Sequence, residues 1–316
     1  MTETREMLIL SGLPASGKTS VAKEWLAEDP TNRERINYDD LRIELFGEAW
    51  KFNRPEEDKM QAYARGLVEG WLIHGKSVVI DNTNITEKVR ERWAALGRRY
   101  GVNIVQQEID TPVAECVRRD SERIGRARVG RAVIERMALL HGFIDWADYP
   151  RDFVIFDMDG TLADCEHRRH HVKVPECTCQ TLTKEQSTTE HCAKETFKKN
   201  WPAFFKDCRN DPPVKRIVML AQILQKHFDI LIVSGRPINL CGQATEAWLE
   251  EHLQVPYLHL FMAPGDHSSD VEVKQEILDH LPKDRIAYVI DDRPAVLRMW
   301  RENGLTTLAV GSGEEF

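Results

Sequence analysis

Two short stretches hold the residues whose types and spacing could do chemistry. In the first, four apolar residues, Phe153-Val154-Ile155-Phe156, run straight into Asp157-Met158-Asp159-Gly160-Thr161. An apolar run that stops at a polar loop predicts a buried strand. Spacing of two along an extended chain points Asp157 and Asp159 to the same side. Carboxylates so placed repel unless a cation or a proton lies between them. The pair therefore suits a Mg²⁺ site, with one Asp as nucleophile and the other as acid/base. The second stretch, Gly12-Leu-Pro-Ala-Ser16-Gly17-Lys18-Thr19, fits G-x-x-x-x-G-K-[ST] in full. Glycines let backbone N–H groups turn inward around phosphates. Lys18 can reach the β- and γ-phosphates, the Thr19 hydroxyl can ligate Mg²⁺, and the helix expected after it aims its N-terminus at the anion.

Further candidates stand where strands or helices should end. Tyr38-Asp39-Asp40-Leu41-Arg42 opens a helix, with Asp39 or Asp40 as its N-cap. Asp39 could also take a proton from an acceptor hydroxyl. Arg42, three residues on and on the same helical face, could grip an anionic group of that acceptor. Asp81 ends the run Ser77-Val-Val-Ile-Asp81 and is placed like a Walker-B carboxylate, although a turn residue would look the same. Between residues 118 and 136, seven arginines (118, 119, 123, 126, 128, 131 and 136) face Asp120, Glu122 and Glu135, a local balance of seven minus three, or +4. Gly125 and Gly130 interrupt any helix there, so the stretch reads as a mobile lid that closes over triphosphate. Beyond residue 151, Ile230-Leu-Ile-Val-Ser234-Gly-Arg236 presents a hydroxyl and a guanidinium to a phosphate. Asp270 and Lys274 lie four apart on one helical face, and Ala287-Tyr-Val-Ile-Asp291-Asp292 ends in paired acids suited to Mg²⁺.

The elements that must position these groups alternate strand and helix along both halves, which predicts α/β architecture: two three-layer domains, each a mainly parallel sheet with helices on both faces. At 316 residues the chain fits two domains, taken as 1–150 and 151–316, and 42% hydrophobic residues allow each a core. A net charge of −8 makes any nucleic-acid contact a matter of local basic patches. No apolar run approaches the ~20 residues that span a bilayer, so no membrane partner is expected. Seven cysteines, an odd number without a signal peptide, fit a reducing cytoplasm. Residues 172–210 break the pattern and carry Cys177-x-Cys179, His191-Cys192 and Cys208, a spacing that could build a zinc site. Lys199 to Phe205 reads as an apolar docking segment of that insertion.

Taken together, these motifs resemble the bacteriophage-type polynucleotide 5′-kinase/3′-phosphatases, a P-loop kinase domain fused to a haloacid-dehalogenase-type (HAD) phosphatase domain. The resemblance implies a P-loop NTPase-like fold followed by a HAD-like Rossmannoid fold. It implies ATP·Mg²⁺ on Gly12, Ser16, Gly17, Lys18 and Thr19, Asp39 as base for a 5′-hydroxyl, and Arg42 on a nucleic-acid phosphate. Arg123 best matches the family's lid arginine, although Arg126 or Arg128 could hold that role. In the second half it implies Asp157 as nucleophile, Asp159 as acid/base and Lys274 as screen for both nucleophile and phosphoryl group. Asp157, Asp159, Asp291 and Asp292 would meet the metal. Arg168, Ser234, Arg236 and Asp270 match further phosphate-site positions, whereas Ala263 stands near where the family often has an arginine. The implied partners are RNA or DNA ends, ATP, a downstream nucleic-acid ligase and, as an open option, a second copy of the chain. Two rival readings remain at this point: a small-metabolite kinase fused to a HAD phosphatase, and an ATP-dependent nucleic-acid-binding module.

Overall fold

The structure is a computed structural model that describes residues 5–173, 198–265, 269–311 and 313. It divides into two compact units, Met1–Val129 and Gly130–Phe316. The division lies before the expected boundary at 150, and α6 (Arg131–Leu140) is the reason. Arg131 donates to the carbonyls of Tyr257 and Leu258, Arg136 donates to the Met262 carbonyl and pairs with Glu276, and Ala132 joins the second unit's core. These two arginines are therefore structural, and the lid expected over 118–136 narrows to the turn around Gly125–Ala127.

The first unit is a four-stranded parallel sheet in the order β2-β3-β1-β4, formed by β1 (Glu6–Ser11), β2 (Arg33–Ile36), β3 (Ser77–Asp81) and β4 (Asn103–Glu108). Its central strands are continuous apolar runs because helices cover both faces. Met7 and Ile9 face one core with α3 (Arg54–Ile73) and α4 (Glu87–Arg99), and Leu8 and Leu10 face a second with Ala22 of α1 (Lys18–Glu28). Before α2 (Tyr38–Phe46) the cap is Asn37, whose side chain accepts from the N–H groups of Asp39 and Asp40. Neither aspartate is thus the N-cap, and the Asp39 carboxylate stays outside the helix end.

The second unit is a five-stranded parallel sheet in the order β7-β6-β5-β8-β9, formed by β5 (Phe153–Phe156), β6 (Asp229–Pro237), β7 (His259–Ala263), β8 (Ile286–Asp291) and β9 (Thr307–Ala309). After the short α7 (Trp201–Lys206) come α8 (Lys215–Leu224), α9 (Ile238–His252), α10 (Asp270–Leu278) and α11 (Pro294–Glu302). Ser269 and Glu272 close a capping box that starts α10 where Lys274 can turn inward. In each sheet the next strands in sequence fall to opposite sides of β1 and of β5. The crevice at the carboxyl end of such a switch-point strand is where ligands bind in open α/β sheets, and there the phosphate loop and Asp157 sit. The zinc reading on Cys177, Cys179, His191 and Cys192 lies outside the described residues. No helix among the described residues is long and apolar enough to cross a membrane.

Candidate active sites

In the first unit the loop between β1 and α1 is wound tightly. Gly12 has φ of 142°, and a Cβ there would come within 2.8 Å of the Ile109 carbonyl; Gly17 has φ of 107°. Only glycine meets both demands cheaply. Lys18, 7% exposed, folds back to donate to the carbonyls of Gly12 (2.9 Å) and Leu13 (2.6 Å) and to Ser16 Oγ (3.3 Å). Burial lowers its pKa to about 8, partly offset by the nearby charge of Asp81. Thr19 Oγ1 donates to Asp81 Oδ1 at 3.3 Å, which brings the two expected metal-binding oxygens together. Asp81 is itself held by Arg35 through Nε at 2.8 Å and Nη2 at 2.6 Å. Nothing in a sequence motif marks Arg35, whose only signal is a cation in a strand beside the one ending in Asp81.

Asp39 is exposed and pairs with Arg42 at 2.5 Å. Arg42 also forks onto Glu57 through Nε (2.9 Å) and Nη2 (2.8 Å), so the acceptor arginine expected from sequence is already oriented by a buried carboxylate. Asp39 and Arg123 both lie close enough to Lys18 for their charges to act on it. Arg126 instead reaches the carbonyls of Gly47 and Glu48 and lies over the Trp50 ring. Arg119 of α5 (Val113–Ser121), read from sequence as part of the lid, donates to the Ser16 carbonyl at 3.2 Å and braces the loop.

In the second unit two charge clusters divide the neighbouring carboxylates. Asp157 joins Asp291 and Asp292 in a buried trio whose oxygens lie within 4.8 Å of one another. Lys274, fully buried, donates to Asp157 Oδ1 at 2.7 Å and to Asp291 Oδ2 at 2.9 Å, with Asp270 at 3.4 Å. One ammonium among four acids, with the Arg293 guanidinium on Asp270 at 3.1 Å, still leaves the group over-anionic. Burial first, then the neighbouring acids, push Asp157 well above the usual carboxylate range and Asp292 up to about 7. Lys274 is held protonated, because those acids outweigh its desolvation. Asp292 Oδ1 is buried with no hydrogen-bond partner. A hard, oxygen-seeking divalent cation fits that donor set and would relieve its charge. Gly160 is obligatory beside it, since a Cβ there would stand 2.1 Å from Asp292 Oδ2.

Asp159 lies outside this trio, contrary to its expected place as a metal ligand. Arg168 Nη2 (2.7 Å) and Arg236 Nη2 (2.6 Å) both donate to its Oδ1. Burial alone would raise its carboxyl, but Arg236 and then Arg168 outweigh that and hold it below the ordinary range. The same two guanidinium groups grip Asp211, which is buried and was invisible to motif reading; Arg236 Nη2 lies 2.7 Å from its Oδ2. Arg168 and Arg236 therefore engage carboxylates rather than presenting open forks. Ser234 Oγ accepts from the Arg236 N–H at 3.2 Å. Over Asp157 and Asp159 opens a cleft of about 500 Å³, walled by Trp201, Phe204, Phe205, Leu240 and Arg293.

Comparison with known proteins matches residues 7–141 to the AAA domain family model and residues 192–315 to the Polynucleotide kinase PNKP phosphatase domain model. A protein of Autographa californica nuclear polyhedrosis virus, described as a bifunctional polynucleotide kinase/RNA ligase, is 22% identical across 98% of this chain and 42% of its own length. The chain thus spans less than half of that curated relative. Among solved structures, the Pnkp1/Rnl/Hen1 RNA repair complex matches at 20% identity and a TM-score of 0.38, over 100% of this chain and 98% of that one. A haloacid dehalogenase-like family hydrolase from Streptococcus pneumoniae matches at 16% identity and 0.36, over 52% of this chain and 88% of its own. Residues 7–141 are thus similar to an AAA domain and residues 192–315 to a polynucleotide kinase PNKP phosphatase domain.

Proposed function

We propose that the protein is a bifunctional nucleic-acid end-healing enzyme, which moves the ATP γ-phosphate to a 5′-hydroxyl of RNA or DNA and removes a 3′-phosphate or 2′,3′-cyclic phosphate. The observation that carries this reading is the presence of two separate phosphate-handling constellations, one around Lys18 and one around Asp157. In the first, Lys18 leaves the loop carbonyls for the nucleotide phosphates, and Asp39, oriented by Arg42, accepts the proton of the attacking hydroxyl. Thr19 and Asp81 would hold Mg²⁺. Arg123, whose charge acts on Lys18, is the lid arginine of this reading, which is supported by Arg126 donating instead to carbonyls of Gly47 and Glu48.

In the second, Asp157 Oδ attacks phosphorus and the bond to the leaving oxygen breaks, giving an aspartyl-phosphate that water then hydrolyses. Asp159 donates a proton to the leaving oxygen and later accepts one from water. Lys274, donating to Asp157 Oδ1, opposes protonation of that carboxylate and neutralises phosphoryl charge. Mg²⁺ held by Asp157, Asp291 and Asp292 would supply Lewis-acid stabilisation of that charge. Nucleic-acid ends are the substrates, and a ligase is the natural consumer of a 5′-phosphate and a free 3′-hydroxyl.

An assay with ATP, Mg²⁺ and an oligonucleotide bearing a 5′-hydroxyl and a 3′-phosphate tests both halves. Asp157→Asn should abolish 3′-dephosphorylation and spare 5′-phosphorylation, and Lys18→Ala should do the reverse, each by about 10³-fold or more. Equal loss of both activities in folded Asp157→Asn protein would contradict two independent sites.

A further inference from the structure

Helices α3 and α4 of the first unit border a cleft of about 670 Å³ that plays no part in the chemistry above. Its walls combine Tyr38 and the nearly buried Trp93 with Gln61, Arg65, Arg92 and Arg99. Arg92 and Arg99 stand seven residues apart on one face of α4, about 10 Å along its axis. The acids of α4 do not cancel its charge: Lys88, Arg90, Arg92, Arg98 and Arg99 against Glu87 and Glu91 leave five minus two, or +3. Arg99 has a single long pairing with Glu69 at 3.3 Å. Arg65 and Arg92 are exposed, and among the described residues neither forms a hydrogen bond or an ion pair. A chain with net charge −8 that concentrates unpaired arginines around an apolar slot has built a site for a polyanion with flat or apolar parts. The slot is linked to the kinase chemistry through Tyr38, which forms part of its wall and is next in sequence to Asp39, and the Arg42 guanidinium is 5.9 Å from the Tyr38 ring centroid. A strand whose terminal hydroxyl reached Asp39 would continue past Tyr38 into the cleft.

We propose that this cleft binds the single-stranded polynucleotide 3′ of the acceptor nucleotide, with Arg65, Arg92 and Arg99 on successive phosphates and the Tyr38–Trp93 wall against sugars and bases. The proposal rests on the kinase reading of the first unit and adds to it the subsite that makes the acceptor a polymer. A small-metabolite kinase would have no use for it, and a protein partner with an acidic face is the competing occupant.

The test compares 5′-phosphorylation of a nucleoside 3′-monophosphate with that of a 5′-hydroxyl oligonucleotide of about a dozen residues, in the wild type and in an Arg65→Ala/Arg92→Ala variant. Both side chains are exposed and unpaired, so the fold should be unaffected. In the wild type kcat/KM should be higher for the oligonucleotide. The variant should lose that gain while keeping its rate on the mononucleotide and its KM for ATP. The log–log salt slope for the oligonucleotide should flatten by roughly 1.4, about 0.7 for each single-strand phosphate that an arginine no longer neutralises. An unchanged gain in the variant, or no gain in the wild type, overturns the proposal and leaves the cleft to a protein partner. Failure of the kinase reading shows separately, as no phosphorylation of either acceptor. In that event fluorescence anisotropy of the same labelled oligonucleotide still decides the cleft: equal binding by wild type and variant overturns it, and a loss of affinity confined to the variant supports it.

Discussion

Replacing Lys274 by methionine should do more than silence a catalytic centre, because among the described residues Lys274 is the only ammonium beside Asp157, Asp270 and Asp291, at 2.7, 3.4 and 2.9 Å. Methionine fills nearly the same space and leaves no cavity, so the change isolates the charge. Removing one partner from a buried ion pair costs about 3–5 kcal/mol, since the other partner stays buried without compensation. At about 1.4 kcal/mol per tenfold, opening of the strands that carry these acids should become roughly 10²- to 4 × 10³-fold more frequent. Hydrogen exchange reads this locally. Peptides covering 153–156 and 286–291 should lose that much protection, and 77–81 in the first unit should lose none.

The sign with pH follows from the acids. Without Lys274 their folded pKa values rise further above the unfolded value of 3.8 already exceeded by Asp157. A carboxyl whose folded pKa is raised contributes stability at low pH and loses it as pH climbs through that pKa. The deficit of the variant should therefore be largest above neutrality and shrink toward pH 4. Millimolar Mg²⁺ should recover part of it by replacing the lost positive charge. A deficit equal at pH 5 and pH 8, and indifferent to Mg²⁺, would refute the charge argument and make Lys274 a packing residue.

Other expectations concern each unit in turn. Lys18, lowered to about 8 by burial in the loop, should be driven back up by nucleotide phosphates. ATP binding should then take up a proton at pH 9 and weaken as pH rises above about 8; titration calorimetry in two buffers of different ionisation heat checks this, and no uptake at pH 9 would count against it. Arg35→Gln removes the clamp on Asp81 and should raise the Mg²⁺ requirement of phosphoryl transfer by about 10- to 100-fold without changing the phosphatase. Asp211→Asn leaves Arg168 and Arg236 to Asp159 alone and should lower the Asp159 pKa further. The alkaline limb of the phosphatase pH profile should shift to lower pH, and an unmoved limb would show that Asp159 is not the acid.

Much of this was legible in the sequence because the informative residues end strands. An apolar run followed by Gly12 to Thr19, or by Asp157-x-Asp159, states both the element and the group it presents, and the order of such runs implied the parallel sheets. What escaped notice acts at a distance. Asp211 follows no strand and is separated from Arg168 by the insertion, yet it shares both of Asp159's arginines. Arg35 looks like any strand cation until β2 is laid beside β3. Arg131 and Arg136 read as lid residues because local charge is visible in a sequence and long-range carbonyl partners are not. The cap of α2 was missed for a smaller reason: Asn37, Asp39 and Asp40 are all good caps, and only the backbone at Asn37, extended with φ of −136°, selects one.

The division of labour between Asp157 and Asp159 also rests on surroundings rather than on the motif they share. Two residues apart, they sit in clusters of opposite balance: Asp157 among acids with one lysine, Asp159 between two arginines. In the proposed mechanism the first arrangement would hold a cation and present the Asp157 oxygen to phosphorus. The second holds Asp159 ionised, which is wrong for a group proposed to donate a proton to a leaving oxygen. A dianionic phosphate entering the cleft changes that balance, because it competes for the same guanidinium groups. As Arg236 or Arg168 turns toward phosphate oxygens, Asp159 is freed from the charges that depress it, and its burial then pushes its pKa upward toward the working range. The arginines that looked like phosphate binders in the sequence and like carboxylate clamps in the structure would serve as both, in succession, and substrate arrival would itself prepare the acid.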